Sequence, residues 1–221
     1  MPRPTRTPMQ VAAVRTAILD ETVAVIAREG VGAMSMRKIA KAMSMTATNL
    51  YNYFANRDEL MLHAQARGYE MLEEDLNAVF LQDLPPAVKG RRMMEAYLRF
   101  GQNHPHYYDL MFGILSPRFA DYVGTDLEEV AFSQKQVAQK VADIAELLIS
   151  QAGSREGGIS KEEARLLTVK IWSGLHGLVC LRHSRFLKGD EHLVSRILDD
   201  LMAPFAPAHN LSISQEESHE H

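Results

Sequence analysis

The sequence predicts an all-α chain of about nine helices, with a three-helix N-terminal domain carrying a helix-turn-helix ahead of a C-terminal helical bundle. Three observations carry this expectation. Apolar residues recur at the 3/4 spacing of a buried helical face along most of the chain. Ser, Thr, Asn, Gly and Pro stand where helix ends need their unpaired backbone groups satisfied or the helix stopped. No segment reads as a strand, and there is no internal repeat.

The first helix runs from about Met9 to Glu29, with Val11, Val14, Ile18, Val25 and Ile26 on its apolar side and Gly30 at the C′ position. Ser35 caps a short second helix, with Met34 and Ile39 at the spacing of a hydrophobic staple. Thr46 caps a third, with Met45 and Leu50 as its staple pair. Ile39, Ala40 and Met43 on one, and Leu50, Tyr53 and Phe54 on the other, give both helices a face to bury. Asn56 caps a fourth helix, with Glu59 at the reciprocal capping-box position. That helix continues to about Phe80, and Pro85-Pro86 stop it. The boundary between the N-terminal domain (1–72, helix-turn-helix 35–54) and the larger one (73–203) falls inside this helix, so a stiff element joins them.

Beyond it, a helix is expected from about Ala87 to Asn103, ended by His104-Pro105, and a short one around His106–Phe112. Ser116–Gly124 is expected to be irregular in part. A long helix covers about Asp126–Gln151, and the loop Gly153–Gly158 follows. Ser160 with Glu163 forms a second capping box, opening a helix to about Arg185. Gly189-Asp190 punctuates, and a last helix runs to about Met202, before Pro204 and Pro207. Residues 204–221 read as a polar, disordered tail.

Composition narrows the class. With 46% hydrophobic and 24% charged residues the chain is an ordinary globular protein with enough length for a sizeable core. The single cysteine, Cys180, rules out an internal disulfide and suits a reducing cytoplasm. No apolar run is long enough to span a bilayer, and the N-terminus lacks the apolar core of a secretory signal, so no membrane partner is expected and the location is read as cytoplasmic. Residues 1–57 carry a charge of +5, whereas 58–221 carry −9. Local positive charge on an acidic body provides oriented affinity for phosphate. Arg3 and Arg6 either reach a backbone or minor groove or belong to a solvated terminus.

Enzymatic classes lack their motifs. There is no Gly-rich phosphate loop, no G-x-S-x-G elbow and no Cys/His metal spacing, so catalytic, metal and cofactor sites are all expected to be absent. His104 and His106 are two apart around a proline, which does not place both imidazoles on one helix face. Cys180 falls in an apolar helix and is expected to be buried rather than reactive.

The third helix carries the most specific chemistry. Opposite its apolar side lie Ala47, Thr48, Tyr51 and Asn52. Short side chains near a helix N-terminus allow close approach to base edges, and hydroxyl and amide groups bond to bases or phosphates. Gly30, the Ser35 cap, Ile39-Ala40, Met45-Thr46, Leu50-Tyr51-Asn52-Tyr53-Phe54 and Asp58-Glu59-Leu60 make residues 12–72 resemble the DNA-binding domain of the TetR family of bacterial transcription regulators. The run Leu50–Leu60 is similar to that family's LYxHF…K-E/D-E-L signature, with Tyr53 where His is common and Arg57 where Lys is common. The resemblance implies double-stranded DNA as partner. It implies Arg37 as a base or phosphate contact, Ala47, Thr48 and Asn49 at base edges, and Thr46, Tyr51, Tyr53 and Arg57 on the phosphate backbone, with Ser35 as the cap. Ala47 can read a base only through apolar contact, for example with a thymine methyl. The plainer alternative makes Ser35 and Thr46 caps only, and Tyr51 and Tyr53 packing residues.

In the C-terminal part, Trp172-Ser173-Gly174-Leu175-His176-Gly177 and the earlier His104-Pro105…Tyr108…Leu110-Met111-Phe112 resemble a TetR subgroup with a Trp-x-x-x-His-Gly signature. Trp172 and His176 share one helical face, and either line a ligand cavity or belong to the core. Met94, Tyr97, Leu98 and Phe100, with Met111 and Phe112, are further lining candidates, and twelve methionines give an adaptable interior. The effector so implied is a small, largely apolar molecule. Leu166, Val169, Leu175 and Val179, with Leu193, Ile197, Leu198 and Leu201, form apolar faces on the last two helices. In the resembled family these helices build a four-helix bundle with a second copy. Such a homodimer would present its reading helices to a near-palindromic operator. The expected function is a ligand-responsive regulator, a repressor released by its effector. The alternatives are an activator, a ligand-independent regulator, or a helical protein-binding module.

Overall fold

The computed structural model describes residues 7–113, 116–153, 159–187 and 189–203, which form nine α-helices, two short 3₁₀ turns and no strand. The helices are α1 (Pro8–Glu29), α2 (Met36–Ala42), α3 (Ala47–Tyr51), α4 (Arg57–Phe80), α5 (Pro86–Asn103), α6 (Pro105–Phe112), α7 (Glu128–Gly153), α8 (Lys161–His183) and α9 (Glu191–Met202). The all-α class expected from the sequence is the class found. The 3₁₀ turns are Val31–Ala33 and Phe119–Tyr122, the latter inside the segment expected to be irregular. Arg3, Arg6, nearly all of the 153–158 loop and the tail at 204–221 lie outside the described residues. Among the described residues no helix is long and apolar enough to cross a membrane.

Helix ends follow local chemistry. The Ser160 hydroxyl accepts from Glu163 N at 3.1 Å while the Glu163 carboxylate accepts from Ser160 N at 2.9 Å, the reciprocal box expected there. These bonds hold the Glu163 carboxyl below the usual carboxylate range. At α4 the expected box is altered. Asn56 Oδ1 caps Glu59 N at 2.8 Å, but the Glu59 carboxylate accepts from Ala55 N instead of Asn56 N. Two caps that the sequence reading passed over are also present. Thr7 and Gln10 form a box that starts α1 at Pro8, and Asp190 caps α9 by accepting from Leu193 N at 3.0 Å.

The chain divides into two compact units that interleave along the sequence. One holds α1 to α3, α4 as far as Glu74, and Asn103–Val141; the other holds Asp75–Gln102 and the chain from Ala142 onward. In the first, Ile18, Ile39, Leu50, Leu60 and Leu62 are fully buried. Here α6 is fastened to α4 by side chains that close its last turn. Gln65 Nε2 donates to the Leu110 carbonyl at 2.9 Å and the Tyr69 hydroxyl to the Met111 carbonyl at 3.1 Å. Burial pushes the Tyr69 phenol up to about 12, so it stays a donor.

In the second unit, α5 and α8 meet where Gly101 leaves room for Val179. The His183 imidazole donates to the Gly101 carbonyl at 2.9 Å beside that contact. Arg91 ties α5 to α9 by pairing with Asp199 and donating to Ser195 Oγ at 3.0 Å. Leu201 packs at Gly174 on α8.

Candidate nucleic-acid interface

The helix-turn-helix is built from backbone satisfaction outward. Ser35 Oγ accepts from Lys38 N at 3.4 Å and starts α2. Its end is a Schellman turn, with Met45 N donating to Ala40 O at 2.9 Å and Ser44 N to Lys41 O at 3.1 Å. Closing those bonds needs a left-handed residue between them, and Ser44 takes it at φ 52°. Thr46 Oγ1 then accepts from Asn49 N at 3.1 Å and starts α3. Leu50 and Phe54 are buried at 0% and 1% exposure, which fixes the rotation of α3 and turns its other side outward.

Two arginines lock this arrangement. Arg15 of α1 donates to the Tyr53 carbonyl, and its guanidinium lies 4.2 Å from the centroid of the Phe54 ring. Arg57 donates from Nη2 to Val31 O at 2.8 Å and from Nε to Met34 O at 3.2 Å, and its Nη1 pairs with Asp58 at 3.3 Å. All three guanidinium nitrogens of Arg57 are therefore engaged within the protein. The resemblance implied a phosphate role for it; in the structure its guanidinium lies on the carbonyls of Val31 and Met34 instead, the Val31 oxygen also accepting from Met34 N at 3.3 Å.

The remaining expected contacts lie on the outside of the pair. Arg37, Thr46, Thr48 and Tyr51 are exposed, and Ser35, Ala47, Asn49 and Tyr53 are half-buried. The Tyr51 ring, at 51% exposure, is not a packing residue. Asn52, expected on the outward side of α3, is exposed there. One exposed residue that was not singled out is Lys41, which follows Arg37 by one turn of α2. Its i+4 spacing was visible in the sequence. Lys38 is committed to Glu29, and that bond keeps the Glu29 carboxyl below its usual range. The surface thus offers hydroxyl, amide, phenol and cationic groups together with one methyl, the inventory for reading base edges and holding phosphates.

The ligand candidates separate by unit. Met111 is buried and Phe112 half-buried in the first unit, where Phe112 packs on Tyr69 and Tyr108 at centroid distances of 5.6 and 4.7 Å. Met94, Tyr97, Leu98 and Phe100 are buried in the second. Of this set the structure joins Tyr97 with Trp172, whose indole Nε1 donates to the Tyr97 hydroxyl at 2.8 Å. The Trp172 ring remains 45% exposed. His176 lies 3.6 Å from Cys180 Sγ, and burial pushes its imidazole pKa down.

The apolar residues expected at an interface between copies fall into three groups. Leu166, Val169 and Leu193 are exposed, and Ile197 and Leu201 half-buried. Leu175, Val179 and Leu198 are instead buried in the chain's own core. Cys180, expected to be buried, is exposed. For Leu175, Val179 and Cys180 the cause is that α8 is apolar on two sides, and spacing alone does not say which side is turned inward.

Residues 18–64 match the family described as bacterial regulatory proteins, tetR family, and residues 91–204 match the tetracyclin repressor-like C-terminal domain. An uncharacterized HTH-type transcriptional regulator of Haemophilus influenzae is 33% identical over 88 residues, which span 40% of this chain and 47% of that protein. The chain therefore spans about half the length of that relative. A Rhodococcus sp. RHA1 protein shares the fold with a TM-score of 0.72 at 17% identity, over 91% of this chain and all of that one. The transcriptional regulator FadR of Bacillus subtilis, solved in complex with stearoyl-CoA, does so with a TM-score of 0.68 at 15% identity, over 85% and 97% of the two chains.

Proposed function

Since the chain belongs to the TetR family of bacterial regulatory proteins, we propose that it controls transcription by binding an operator as a homodimer and leaving it when a small apolar molecule binds. The observation that carries the DNA reading is the outward surface of α2 and α3. Arg37, Lys41, Thr48, Tyr51 and Asn52 are exposed together on the basic N-terminal part of the chain, while Leu50 and Phe54 are buried behind them. In this reading Thr48, Asn49 and the Ala47 methyl meet bases. Arg37, Thr46, Tyr51 and Tyr53 meet bases or phosphates, and Ser35 holds α2.

The exposed apolar stripe of α8 and α9 supports the dimer. Leu166 and Val169, with Trp172 a turn further on, leave water only by facing another surface, and a second copy brings the same stripe to it. The bound stearoyl-CoA of the B. subtilis regulator supports an effector with a long apolar part. The matched C-terminal description, tetracyclin repressor-like, supports the repressor sign. The Trp172–Tyr97 bond favours a structural role for Trp172, with the effector held by other residues of the second unit.

Selection of bound sequences from random duplexes tests the reading. A near-palindromic consensus is expected. Thr48→Ala and Asn49→Ala change the selected sequence, whereas Arg37→Ala and Tyr51→Ala weaken every duplex alike, Arg37→Ala with a salt slope about one smaller. A wild-type chain that selects no sequence in moderate salt overturns the proposal. Leu166→Asp with Val169→Asp is expected to give a folded monomer with much weaker operator binding, and an unchanged dimer overturns that part.

A further inference from the structure

Tyr107 on α6 donates from its hydroxyl to Asp20 Oδ1 on α1 at 2.6 Å, across 87 residues of sequence. Its ring is buried, at 7% exposure, and burial with the neighbouring Asp20 carboxylate pushes the phenol pKa up, so it remains a donor throughout the physiological range. α1 is a single unbroken helix, and five residues before Asp20 it carries Arg15. Arg15 in turn holds the Tyr53 carbonyl and the Phe54 ring at the end of the reading helix. All these groups belong to one compact unit.

We propose that α1 is a conveyor between α6 and the reading helix, with Tyr107–Asp20 as its input and Arg15–Tyr53/Phe54 as its output. Both ends are charge-assisted hydrogen bonds, which are short and directional, and the helix between them is stiff over this length. A displacement of α6 therefore pulls on α1 through Asp20 and reaches α3 through Arg15, independently of the fastening of α6 to α4 by Gln65 and Tyr69. Neither Tyr107 nor Asp20 belongs to the outward surface of α2 and α3, so they are positioning residues. This inference rests on the DNA reading above only for one of its two readouts.

The test uses the full-length chain with Tyr107→Phe, Asp20→Asn, Arg15→Met and the double variant Tyr107→Phe/Arg15→Met. Tyr107→Phe keeps the buried ring and removes only the hydroxyl. On the selected operator each single change is expected to weaken binding about 3- to 30-fold. The double variant should bind no worse than its weaker parent, since both changes cut one path. The salt dependence should match that of the wild type, because no phosphate contact is lost. The second readout needs no DNA: Tyr107→Phe should speed amide exchange at Tyr53 and Phe54 while the rest of α3's unit keeps its protection. Additive losses, unchanged affinity with unchanged exchange, or a uniform loss of protection each overturn the conveyor. A wild type that selects no duplex while Tyr107→Phe still loosens Tyr53 and Phe54 overturns the DNA reading alone.

Discussion

Arg57 Nη2 donates to the Val31 carbonyl oxygen at 2.8 Å, so the first residue of α4 holds the turn that leads into α2. Together with Nε on Met34 O at 3.2 Å this makes a planar fork on two main-chain acceptors. Arg57→Met keeps the stem and removes the fork. It should lower the stability of the N-terminal helices by about 1.5–3 kcal/mol, the range for hydrogen bonds to a charged group. Arg57→Lys should recover little, because an ammonium cannot span both carbonyls. Denaturant unfolding followed by helix signal measures this. If DNA affinity instead falls with a salt slope smaller by about one while stability is unchanged, Arg57 is a phosphate contact after all.

Ser44 carries the left-handed conformation of the α2–α3 turn without being a glycine. A Cβ in that region meets the following carbonyl oxygen, at a cost of about 1–2 kcal/mol. Ser44→Gly relieves it, and part of the gain is returned through the greater freedom of glycine in the unfolded chain. The net expectation is a stabilisation of about 0.5–1 kcal/mol with an unchanged operator sequence. Arg185, at φ 64°, occupies the same position after α8, with Phe186 N donating to Leu181 O at 3.0 Å. Arg185→Gly should therefore stabilise in the same sense. A fall in melting temperature for either variant would show that its side chain does more than occupy the turn.

How far the sequence could be read depended on the range of the interaction. The caps of Ser35, Thr46 and Ser160 were legible because each bond closes within three residues. The fork of Arg57 was not, since its acceptors are main-chain carbonyls 23 and 26 residues away. The outward chemistry of Thr48 and Tyr51 was legible from the burial of Leu50 and Phe54 on the opposite side of so short a helix. On α8 the same reasoning failed. Leu166 and Val169 face out while Leu175 and Val179 face in, and a helix apolar on both sides gives one spacing for two surfaces. Tyr107 was one aromatic among several in α6 until Asp20 appeared beside its hydroxyl.

His63 stacks near Phe54, with ring centroids 5.5 Å apart, and its pKa is lowered chiefly by burial and further by the Arg15 guanidinium, against the opposing pull of Glu59. In the unfolded chain the imidazole takes its proton near pH 6.5; in the fold it takes it at a lower pH. Between those values the unfolded chain binds more protons, so stability rises with pH there. The contribution is present above about pH 6.5 and is lost as pH falls through the folded pKa. His176 is shifted the same way by burial and adds a term of the same sign. His63→Gln should flatten the dependence of unfolding free energy just below about pH 6.5, and His63→Gln with His176→Gln should flatten it further. An unaltered slope in the double variant would place the acid sensitivity in other groups.

Two glycines separate stiff from yielding contacts. A methyl group at Gly101 would lie 2.7 and 2.8 Å from the two Cγ atoms of Val179, a side chain with no flexible end to move aside. A methyl at Gly68 would lie 2.6 Å from Met111 Sδ, the far part of a chain with three rotatable bonds. Gly101→Ala should therefore cost about 1–3 kcal/mol by overpacking. Both sites are helical and gain alanine's propensity alike, so Gly68→Ala should cost less only because the Met111 side chain can change rotamer where Val179 cannot. Adding Val179→Ala to Gly101→Ala should return part of the loss, since the second change opens the space the first one fills. Unfolding curves for the three variants decide the matter: equal costs at the two glycines, or no recovery with Val179→Ala, would mean that α5 and α8 separate rather than resist.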